Sequence, residues 1–301
     1  MTLYTGIVKL ALVAVLLVSP LRAEQPLSVY TVNYPLAYFA ERLAGENAAV
    51  VFPAPDDVDP AFWKPDMATI RSYQEADLIL LNGAGYAKWV KNVSLPRLRT
   101  VDTSASIGDQ LIRTQGGIAH THGAGAEHSH AGTAFTTWLD LSLAARQARA
   151  VADALQRRLP QQHQLIEENY LALERSLLAL DEQLLKLVKM GPALPLLGSH
   201  PVYQYLARRY GINLKSLFWE PGELPGEEQW RQLEALQASH QAKWMIWEAQ
   251  PLAETAARLG KLGIQSIVIA PAGNRPAEGD FIDAMEQNLA NLKLVYEETG
   301  S

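Results

Sequence analysis

The stretch QQHQLIEENYLALERSLLALDEQLLKLVKM, residues 161–190, decides how the chain is organised. Leucine and alanine recur in it at helical spacing, while glutamate, arginine and glutamine fill the other faces. At 1.5 Å per residue, a helix of this length spans roughly 45 Å, which is long enough to cross a junction between domains. Pro160 separates it from a second helical pattern at residues 137–159, and Gly191-Pro192 ends it.

Short apolar runs rich in β-branched residues lie on both sides of this helix. Such runs are typical of strands buried on both faces of a parallel sheet, and their alternation with helical patterns favours α/β units. Two α/β halves of similar size would leave a cleft between them, a usual place for a ligand. The seven runs cover residues 27–32, 49–52, 76–82, 195–198, 214–218, 244–247 and 266–270.

The composition of the 301-residue chain narrows the classes of partner and site. Cysteine is absent, which excludes disulfides and thiolate metal sites, so any metal ligand must be histidine, carboxylate or water. The formal net charge is −6 and the sequence has no basic run, which makes nucleic acid and anionic membranes poor partners. The length and the 48% hydrophobic content suit two domains of ordinary size.

The first 23 residues have the pattern of a secretory signal peptide. Lys9 begins an apolar stretch that continues to Val18, and the small residue Ala23 stands directly before Glu24. The apolar part is too short to span a bilayer stably. We expect cleavage before Glu24 and a soluble mature chain outside the cytoplasm, with the formal net charge shifted from −6 to −8 by the loss of Lys9 and Arg22.

A histidine cluster in the segment HTHGAGAEHSH, residues 120–130, indicates metal handling. Imidazole is the commonest protein ligand for zinc and its neighbours, and a cluster among glycine and alanine is typical of a flexible loop that collects metal. The alternative is a solvated low-complexity insert without function. The segment holds four of the seven histidines, namely His120, His122, His128 and His130.

A group of carboxylates follows the second predicted strand. Asp56, Asp57 and Asp59 precede a turn rich in aromatic and proline residues, and clustered carboxylates can hold a hard cation. Aspartate and proline are also ordinary turn residues, and Asp66 can cap a helix that begins near Met67. The spacing alone favours the turn.

Two further candidates lie at strand ends. His200 follows the fourth predicted strand and Glu248 follows the sixth, so we expect both at the carboxyl edge of a sheet, where open α/β folds bind ligands. His200 can instead serve as a cap or pack in the core, and Glu248 can bond to backbone amides. Glu220 and Glu223 lie in a proline-rich loop and are predicted to be exposed on the surface.

Motifs of the common enzyme classes are missing from the sequence. It contains no G-x-S-x-G elbow, no phosphate-binding loop, no complete dinucleotide fingerprint and no H-E-x-x-H motif. The sequence therefore favours a binding protein over an enzyme.

Three segments, in order along the chain, carry a resemblance to a known family. They are NYPLAYFAERLAG at residues 33–45, ADLILLNG at residues 76–83 and SHPVYQYLARRYG at residues 199–211. The chain resembles the periplasmic solute-binding proteins of zinc and manganese ABC transporters, the zinc-uptake type in particular. The resemblance implies two Rossmann-like α/β lobes joined by one long rigid helix, a metal held in the cleft between them, and a His-rich insert in the first lobe.

The sequence and the resemblance together predict a domain map with four parts. A cleaved signal peptide at residues 1–23 precedes an N-terminal lobe at residues 24–160, which includes the His-rich loop at residues 120–130. A linking helix at residues 161–190 leads to a C-terminal lobe at residues 191–301.

The resemblance also implies where the metal ligands of the cleft stand. Relatives carry a histidine after Asp-Pro in the first lobe, a second two residues before a tryptophan, a third in the central segment and a carboxylate near the C-terminus. Here Ala61 and Thr136 occupy the first two positions, so of these histidines His200 is retained. The late carboxylate is expected near Ala270-Pro271, which carry none, although Asp280 and Asp283 follow within two turns.

Zinc prefers three or four nitrogen or oxygen ligands, and three sources for them remain open. The cleft recruits carboxylates such as Asp57, the loop histidines supply the ligands, or the cleft holds a different ligand. The candidate metal ligands are His200, His120, His122, His128, His130, Asp59, Glu248 and Asp280.

We expect a monomeric periplasmic protein that captures a divalent cation, zinc in the first place and manganese in the second. It would deliver the ion to an ABC permease and its ATPase in the inner membrane and would have no catalytic activity. The alternative is a divergent paralogue whose cleft no longer binds metal tightly and which acts as a zinc buffer or metallochaperone through the His-rich loop. An enzyme on the same scaffold has no evident nucleophile or acid–base pair to support it.

Overall fold

The structure of the protein, a computed structural model, describes residues 25–114, 120–121, 127–128, 132–191 and 193–299. The predicted signal peptide lies outside these residues, as do His122 and His130. Within the described part, no helix combines the length and the apolar character that a membrane span requires.

Short strands build the centre of the fold. In chain order they are β1 (Leu27–Thr31), β2 (Ala48–Val51), β3 (Leu78–Leu81), β4 (Thr100–Asp102), β5 (Arg113–Thr114), β6 (His120–Thr121), β7 (Glu127–His128), β8 (Gly132–Thr133), β9 (Pro195–Gly198), β10 (Asn213–Ser216), β11 (Trp244–Trp247) and β12 (Gln265–Val268).

Two four-stranded parallel sheets, one in each lobe, share a single topology. Their orders are β2-β1-β3-β4 and β10-β9-β11-β12. Tyr30 of β1 lies opposite Ile79 of β3, and Leu197 of β9 lies opposite Met245 of β11. In this order the strand sequence reverses at the central pair of each sheet, which opens a crevice at the carboxyl ends of β1 and β3 and another at those of β9 and β11.

The predicted α/β architecture is confirmed, and each of the seven apolar runs overlaps a strand. The fourth strand of the first sheet, β4, was not predicted. It is an edge strand of three residues, Thr-Val-Asp, and two of them are polar. A strand this short and polar gives no hydrophobic pattern to recognise.

Helices cover the faces of both sheets. In chain order they are α1 (Tyr34–Ala44), α2 (Met67–Glu75), α3 (Leu141–Arg158), α4 (His163–Met190), α5 (Gln204–Tyr210), α6 (Glu227–His240), α7 (Ala253–Lys261) and α8 (Phe281–Thr299). The predicted cap of α2 is present, because the Asp66 carboxylate accepts a hydrogen bond from the Thr69 amide at 2.7 Å.

The long helix α4 is part of the hydrophobic core. It packs against α1 and α3 on one side and against α5 and α8 on the other. Its residues Leu173, Leu177 and Leu180 are buried in a cluster that reaches from Ile79 in the first sheet to Ile246 in the second. The helix therefore joins two lobes that share one core, so it does not act as a free spacer.

An ion pair fastens α4 to α5. The Arg209 Nε atom donates to Asp181 Oδ1 at 2.9 Å, and the Tyr210 hydroxyl donates to the same oxygen at 3.0 Å. The guanidinium also reaches the second oxygen of Asp181, which makes the pair bidentate. Because Asp181 is buried, these bonds satisfy a carboxylate that would otherwise destabilise the junction.

The His-rich segment leaves the first lobe through a short antiparallel stem formed by β5 and β8. Within the segment, β6 pairs with β7 and places the backbone of His120 opposite that of His128. Immediately after β8, Phe135 and Thr136 belong to the wall of the cleft described below.

Candidate metal centre

A cleft of about 920 Å³ is lined by residues of both lobes. Its second-lobe side lies at the carboxyl ends of β9 and β11. The ionisable residues in its lining are Asp59, Lys64, Tyr86, His200, Glu220, Glu248 and Arg275.

His200 is held at the carboxyl end of β9, the edge at which the sequence places it. The Ser199 amide donates to Ile246 O at 2.8 Å, which extends the pairing of β9 with β11 by one residue. A turn follows, in which the Val202 amide donates to His200 O at 3.0 Å. The imidazole is buried, with 4% of the residue surface exposed. Its Nδ1 atom faces two carboxylates.

Glu220 is the first of these carboxylates, and its Oε1 atom lies 2.7 Å from His200 Nδ1. The loop that carries it runs beside the end of β9, because the Leu217 amide donates to Gly198 O and the Trp219 amide donates to Ser199 O. Trp219 is buried against Trp230 and anchors this loop. Glu220, predicted to lie on the surface, is half-buried on this loop and lines the cleft.

Glu248 is the second carboxylate, and its Oε1 atom lies 3.5 Å from His200 Nδ1. It directly follows β11, whose last residue Trp247 is fully buried. Burial, and then the nearby negative charges of Glu220 and Asp59, together raise the pKa of the Glu248 carboxyl to about 8. In the absence of a cation, Glu248 therefore holds a proton at neutral pH.

Asp59 faces this group from the first lobe, where its backbone belongs to a tight turn. The Asp59 carboxylate accepts from the Ala61 amide at 2.8 Å, and the Trp63 amide donates to Asp59 O at 2.9 Å. Asn274 holds the same segment in place, because its side-chain amide donates to Val58 O at 2.9 Å. Asp59 thus serves the predicted turn and also lines the cleft.

The two positions at which the resemblance implies histidine are used for packing. Ala61 is completely buried, and its carbonyl accepts from the Lys88 amide at 3.0 Å. Thr136 lines the cleft, but its hydroxyl donates to Val202 O. Neither residue carries an imidazole, so at these two positions the first-lobe side of the cleft lacks the histidines that the resemblance implies.

Aromatic rings cover most of this first-lobe side. Tyr86 packs edge-on against Phe135 and Trp138, with ring centroids 5.3 and 5.5 Å apart, and Phe135 packs in the same way against Phe62 at 6.2 Å. Among the described residues, the buried Tyr86 hydroxyl has no hydrogen-bond partner. Burial, and then the charge of Asp59, raise the Tyr86 pKa far above its usual range, so the hydroxyl keeps its proton.

A network of neutral amides fills the crevice of the first sheet. Asn33 and Asn82 follow β1 and β3, and the Asn33 side-chain amide donates to Asn82 Oδ1 at 3.2 Å. Gln147 donates to Thr103 Oγ1 at 3.0 Å and to Asn82 Oδ1 at 3.2 Å, and it accepts from Thr137 Oγ1 at 2.7 Å. All five residues are buried, and no charged side chain takes part in these bonds.

The remaining predicted ligands lie elsewhere. Asp280 caps the start of α8, where its carboxylate accepts from the Ile282 and Asp283 amides at 2.8 and 3.1 Å. Asp57 is exposed and is not part of the cleft lining, although Asp59 is. For His120 and His128 the structure gives the backbone pairing described above.

The described residues contain no preformed cluster of three histidine, aspartate or glutamate side chains that could hold a metal ion. The His200 and Glu220 donor atoms are at hydrogen-bond distance, closer than two ligands of one zinc ion stand, whereas the distance from His200 to Glu248 is compatible with a shared ion.

Comparison with known proteins supports the two-lobe architecture. The sequence matches the family model described as "Zinc-uptake complex component A periplasmic" over residues 29–295. It is 21% identical to zinc-binding protein AdcA of Streptococcus pyogenes serotype M3 over 297 residues, which covers 92% of this chain and 58% of AdcA. The chain thus spans somewhat over half the length of that relative.

Solved structures with the same fold cover nearly all of the chain. The metal-dependent lipoprotein YcdH from Bacillus subtilis has a TM-score of 0.75 and 22% identity, with 89% of this chain and 98% of YcdH covered. The Zn(II)-bound ZnuA-like domain of Streptococcus pneumoniae AdcA also has a TM-score of 0.75, at 19% identity, with 90% and 99% covered. At these identities the structural likeness supports the two-lobe fold.

Proposed function

The chain belongs to the zinc-uptake component A family of periplasmic proteins, and on this premise we propose that it binds zinc in its cleft and delivers the ion to a membrane permease. The observation that carries the proposal is the approach of Glu220 and Glu248 to His200 Nδ1, at 2.7 and 3.5 Å. One imidazole and two carboxylates supply the nitrogen and oxygen donors that zinc accepts.

Carboxylates take the place of the histidines that are missing from the first lobe. Glu220 and Glu248 approach His200 from the second lobe, and Asp59 faces them from the first. A site richer in oxygen than in nitrogen also suits manganese, so zinc is the first expected ion and manganese the second. We further propose that Asp59 approaches the ion as it binds and so draws the lobes together.

Delivery requires a partner in the membrane. As a component of a transport family, the protein would act as a monomer in the periplasm and present the loaded cleft to an ABC permease and its ATPase. The continuous core around α4 supports small movements of loops and side chains in preference to a wide hinge motion.

Calorimetric titration of the metal-free chain with zinc tests the binding proposal. We compare the full chain with a form lacking residues 120–130, with His200→Ala and with His163→Ala, in which an exposed histidine of α4 is removed as a control. A single tight site that survives the loop deletion and His163→Ala, but is lost in His200→Ala, supports the cleft. Zinc binding that is unchanged in His200→Ala would overturn it.

A second candidate function is zinc buffering through the His-rich loop. The observation that favours it is the loss of imidazole at Ala61 and Thr136, which leaves the chain with more histidine in the loop than in the cleft. The stem β5–β8 is followed almost directly by Phe135 of the cleft wall, so the chain that joins the His-rich loop to the cleft is short. Weak binding of several ions that disappears with residues 120–130 would support this function.

A further inference from the structure

The cleft is larger than a metal ion requires. A zinc ion with six waters occupies roughly 200 Å³, taking about 30 Å³ for each water. The cleft measures about 920 Å³, which falls in the range of pockets that hold small organic molecules. Most of its volume would remain filled with water if an ion alone were bound.

Most of the protein's metal donors lie on one side of this volume, and Asp59 is the carboxylate on the other. His200, Glu220 and Glu248 all belong to the second lobe, and the opposite wall consists mainly of carbon. Phe62 and Phe135 are only partly buried and present ring surface to the cleft. Carbon cannot coordinate zinc, so an ion bound to His200 keeps open positions toward the aromatic wall.

Two basic side chains also line the cleft. Lys64 and Arg275 are exposed at the cleft, where they would repel a bare Zn²⁺ ion and attract an anionic group. Thr136 also lines the cleft, but it is buried and its neutral hydroxyl, which donates to Val202 O, is a much poorer zinc ligand than imidazole or carboxylate. Lys88 Nζ lies 4.9 Å from the centroid of the Phe135 ring, and ring surface with a cation beside it suits a flat organic anion better than it suits water.

We propose that the cleft takes its metal as a complex with a small organic chelator that has a flat aromatic face and an anionic group. The second lobe would bind the ion through His200 and the two glutamates, and the chelator would fill the positions that face the wall of Phe62 and Phe135. This inference rests on the proposed function and specifies the form in which the ion is bound.

Calorimetry with a matched pair of chelators tests the inference. Zinc is titrated into the metal-free full chain alone, with picolinate and with glycinate, at equal free zinc. Both chelators bind zinc through one nitrogen and one carboxylate oxygen, and only picolinate has a ring. We expect picolinate to tighten zinc binding by about tenfold or more and glycinate by much less, because ring stacking adds to coordination.

The variant Phe62→Leu sharpens the test, since it removes a partly buried ring and keeps an apolar side chain. In this variant, the ratio of the zinc affinities with and without picolinate should fall toward one. Native mass spectrometry should detect one zinc with one picolinate on the unmodified chain.

The outcomes separate this inference from the proposed function. If zinc binds through His200 but picolinate gives no more tightening than glycinate, the chelator inference is overturned and the proposed function stands. If zinc fails to bind in every condition, the proposed function itself fails. A picolinate effect that persists unchanged in Phe62→Leu would also contradict the stacking on this wall.

Discussion

The crevices of the two sheets are topologically equivalent and chemically opposite. In the first sheet, Asn33 and Asn82 follow the central strands and bond to each other and to Gln147 in a neutral, buried network. In the second sheet, the same positions lead to His200 and Glu248, which are ionisable and face the cleft. One topology therefore provides both a neutral structural joint and a cleft wall with ionisable groups, and the side chains at the strand ends decide which.

The polar groups of the two crevices should affect the stability of the fold differently, and this difference can be measured in each lobe. Amides that satisfy each other stabilise the fold at any pH, whereas a carboxyl that is buried beside other carboxylates is destabilising once it ionises. Substitutions at equivalent positions should therefore have opposite effects on stability and on metal binding.

The largest effect is expected from Asn82→Ala in the first crevice. The substitution leaves Asn33 and Gln147 without a shared partner and opens a small cavity, which should lower the free energy of unfolding by about 3 kcal/mol. Chemical denaturation measures this loss, and zinc titration of the folded variant should give an unchanged affinity. The exposed Asn213→Ala is the control and should change stability by less than about 0.5 kcal/mol.

A small loss of stability in Asn82→Ala, comparable with that of Asn213→Ala, would show that the network contributes little. The polar side chains of the first crevice would then stabilise the fold no more than those of the second.

The next largest effect is expected from adding a histidine at Thr136, one of the two positions at which the resemblance implies histidine. In Thr136→His, a histidine is added to the lining of the cleft that contains His200, and a further nitrogen ligand should tighten zinc binding by about tenfold or more. Calorimetry at fixed pH measures the change. The same substitution breaks the bond to Val202 O, so stability should fall by about 1 kcal/mol.

Thr136→Val is the matched control, since it loses the same hydrogen bond and adds no ligand. Equal zinc affinities for Thr136→His and Thr136→Val would mean that the ion does not lie between His200 and this wall.

The sequence predicts the strand ends of the second sheet well and the loops around them poorly. His200 and Glu248 were found because apolar runs end directly before them, and parallel topology then brings them to one edge. Glu220 was missed because it lies four residues beyond β10, and its position depends on how buried Trp219 anchors the loop beside β9. Such a contact depends on packing between distant segments, and no local pattern encodes it.

For the first lobe, the prediction from the sequence is incomplete. The resemblance implies histidines at the positions of Ala61 and Thr136, and the sequence shows that both residues lack imidazole. The sequence does not show which side chains line the cleft there instead. The aromatic wall of Phe62, Phe135 and Tyr86 comes from three separate segments of the chain. Only the tertiary structure places these rings side by side.

A pH-dependent effect follows from the raised pKa of Glu248. Since the folded protein keeps this carboxyl protonated up to about pH 8, it binds more protons than the unfolded chain above pH 5. The stability of the metal-free protein should therefore fall by about 1 kcal/mol for each pH unit between pH 6 and pH 7. In Glu248→Gln this contribution should disappear, which urea denaturation at the two pH values would measure.

Glu223→Gln is the control, because Glu223 is an exposed carboxyl on the same loop as Glu220. If Glu248→Gln and Glu223→Gln show the same pH dependence as the unmodified protein, Glu248 is not a buried acid. Zinc affinity should rise with pH in the unmodified protein, because the ion displaces the proton of Glu248.

The smallest effect is expected from Tyr86→Phe, on the aromatic wall of the cleft. The Tyr86 hydroxyl is buried and has no hydrogen-bond partner among the described residues, so its removal costs no bond and should leave stability unchanged or raise it by up to about 1 kcal/mol. In the same lobe, the buried Tyr73 hydroxyl donates to Thr31 O at 2.7 Å, so Tyr73→Phe should lower stability by about 1 kcal/mol. Thermal denaturation of the two variants at one pH compares them directly. Equal destabilisation in both variants would mean that the Tyr86 hydroxyl makes a hydrogen bond in solution. The first-lobe wall would then carry a hydrogen-bond donor of its own and would resemble the polar His200 side more than the structure indicates.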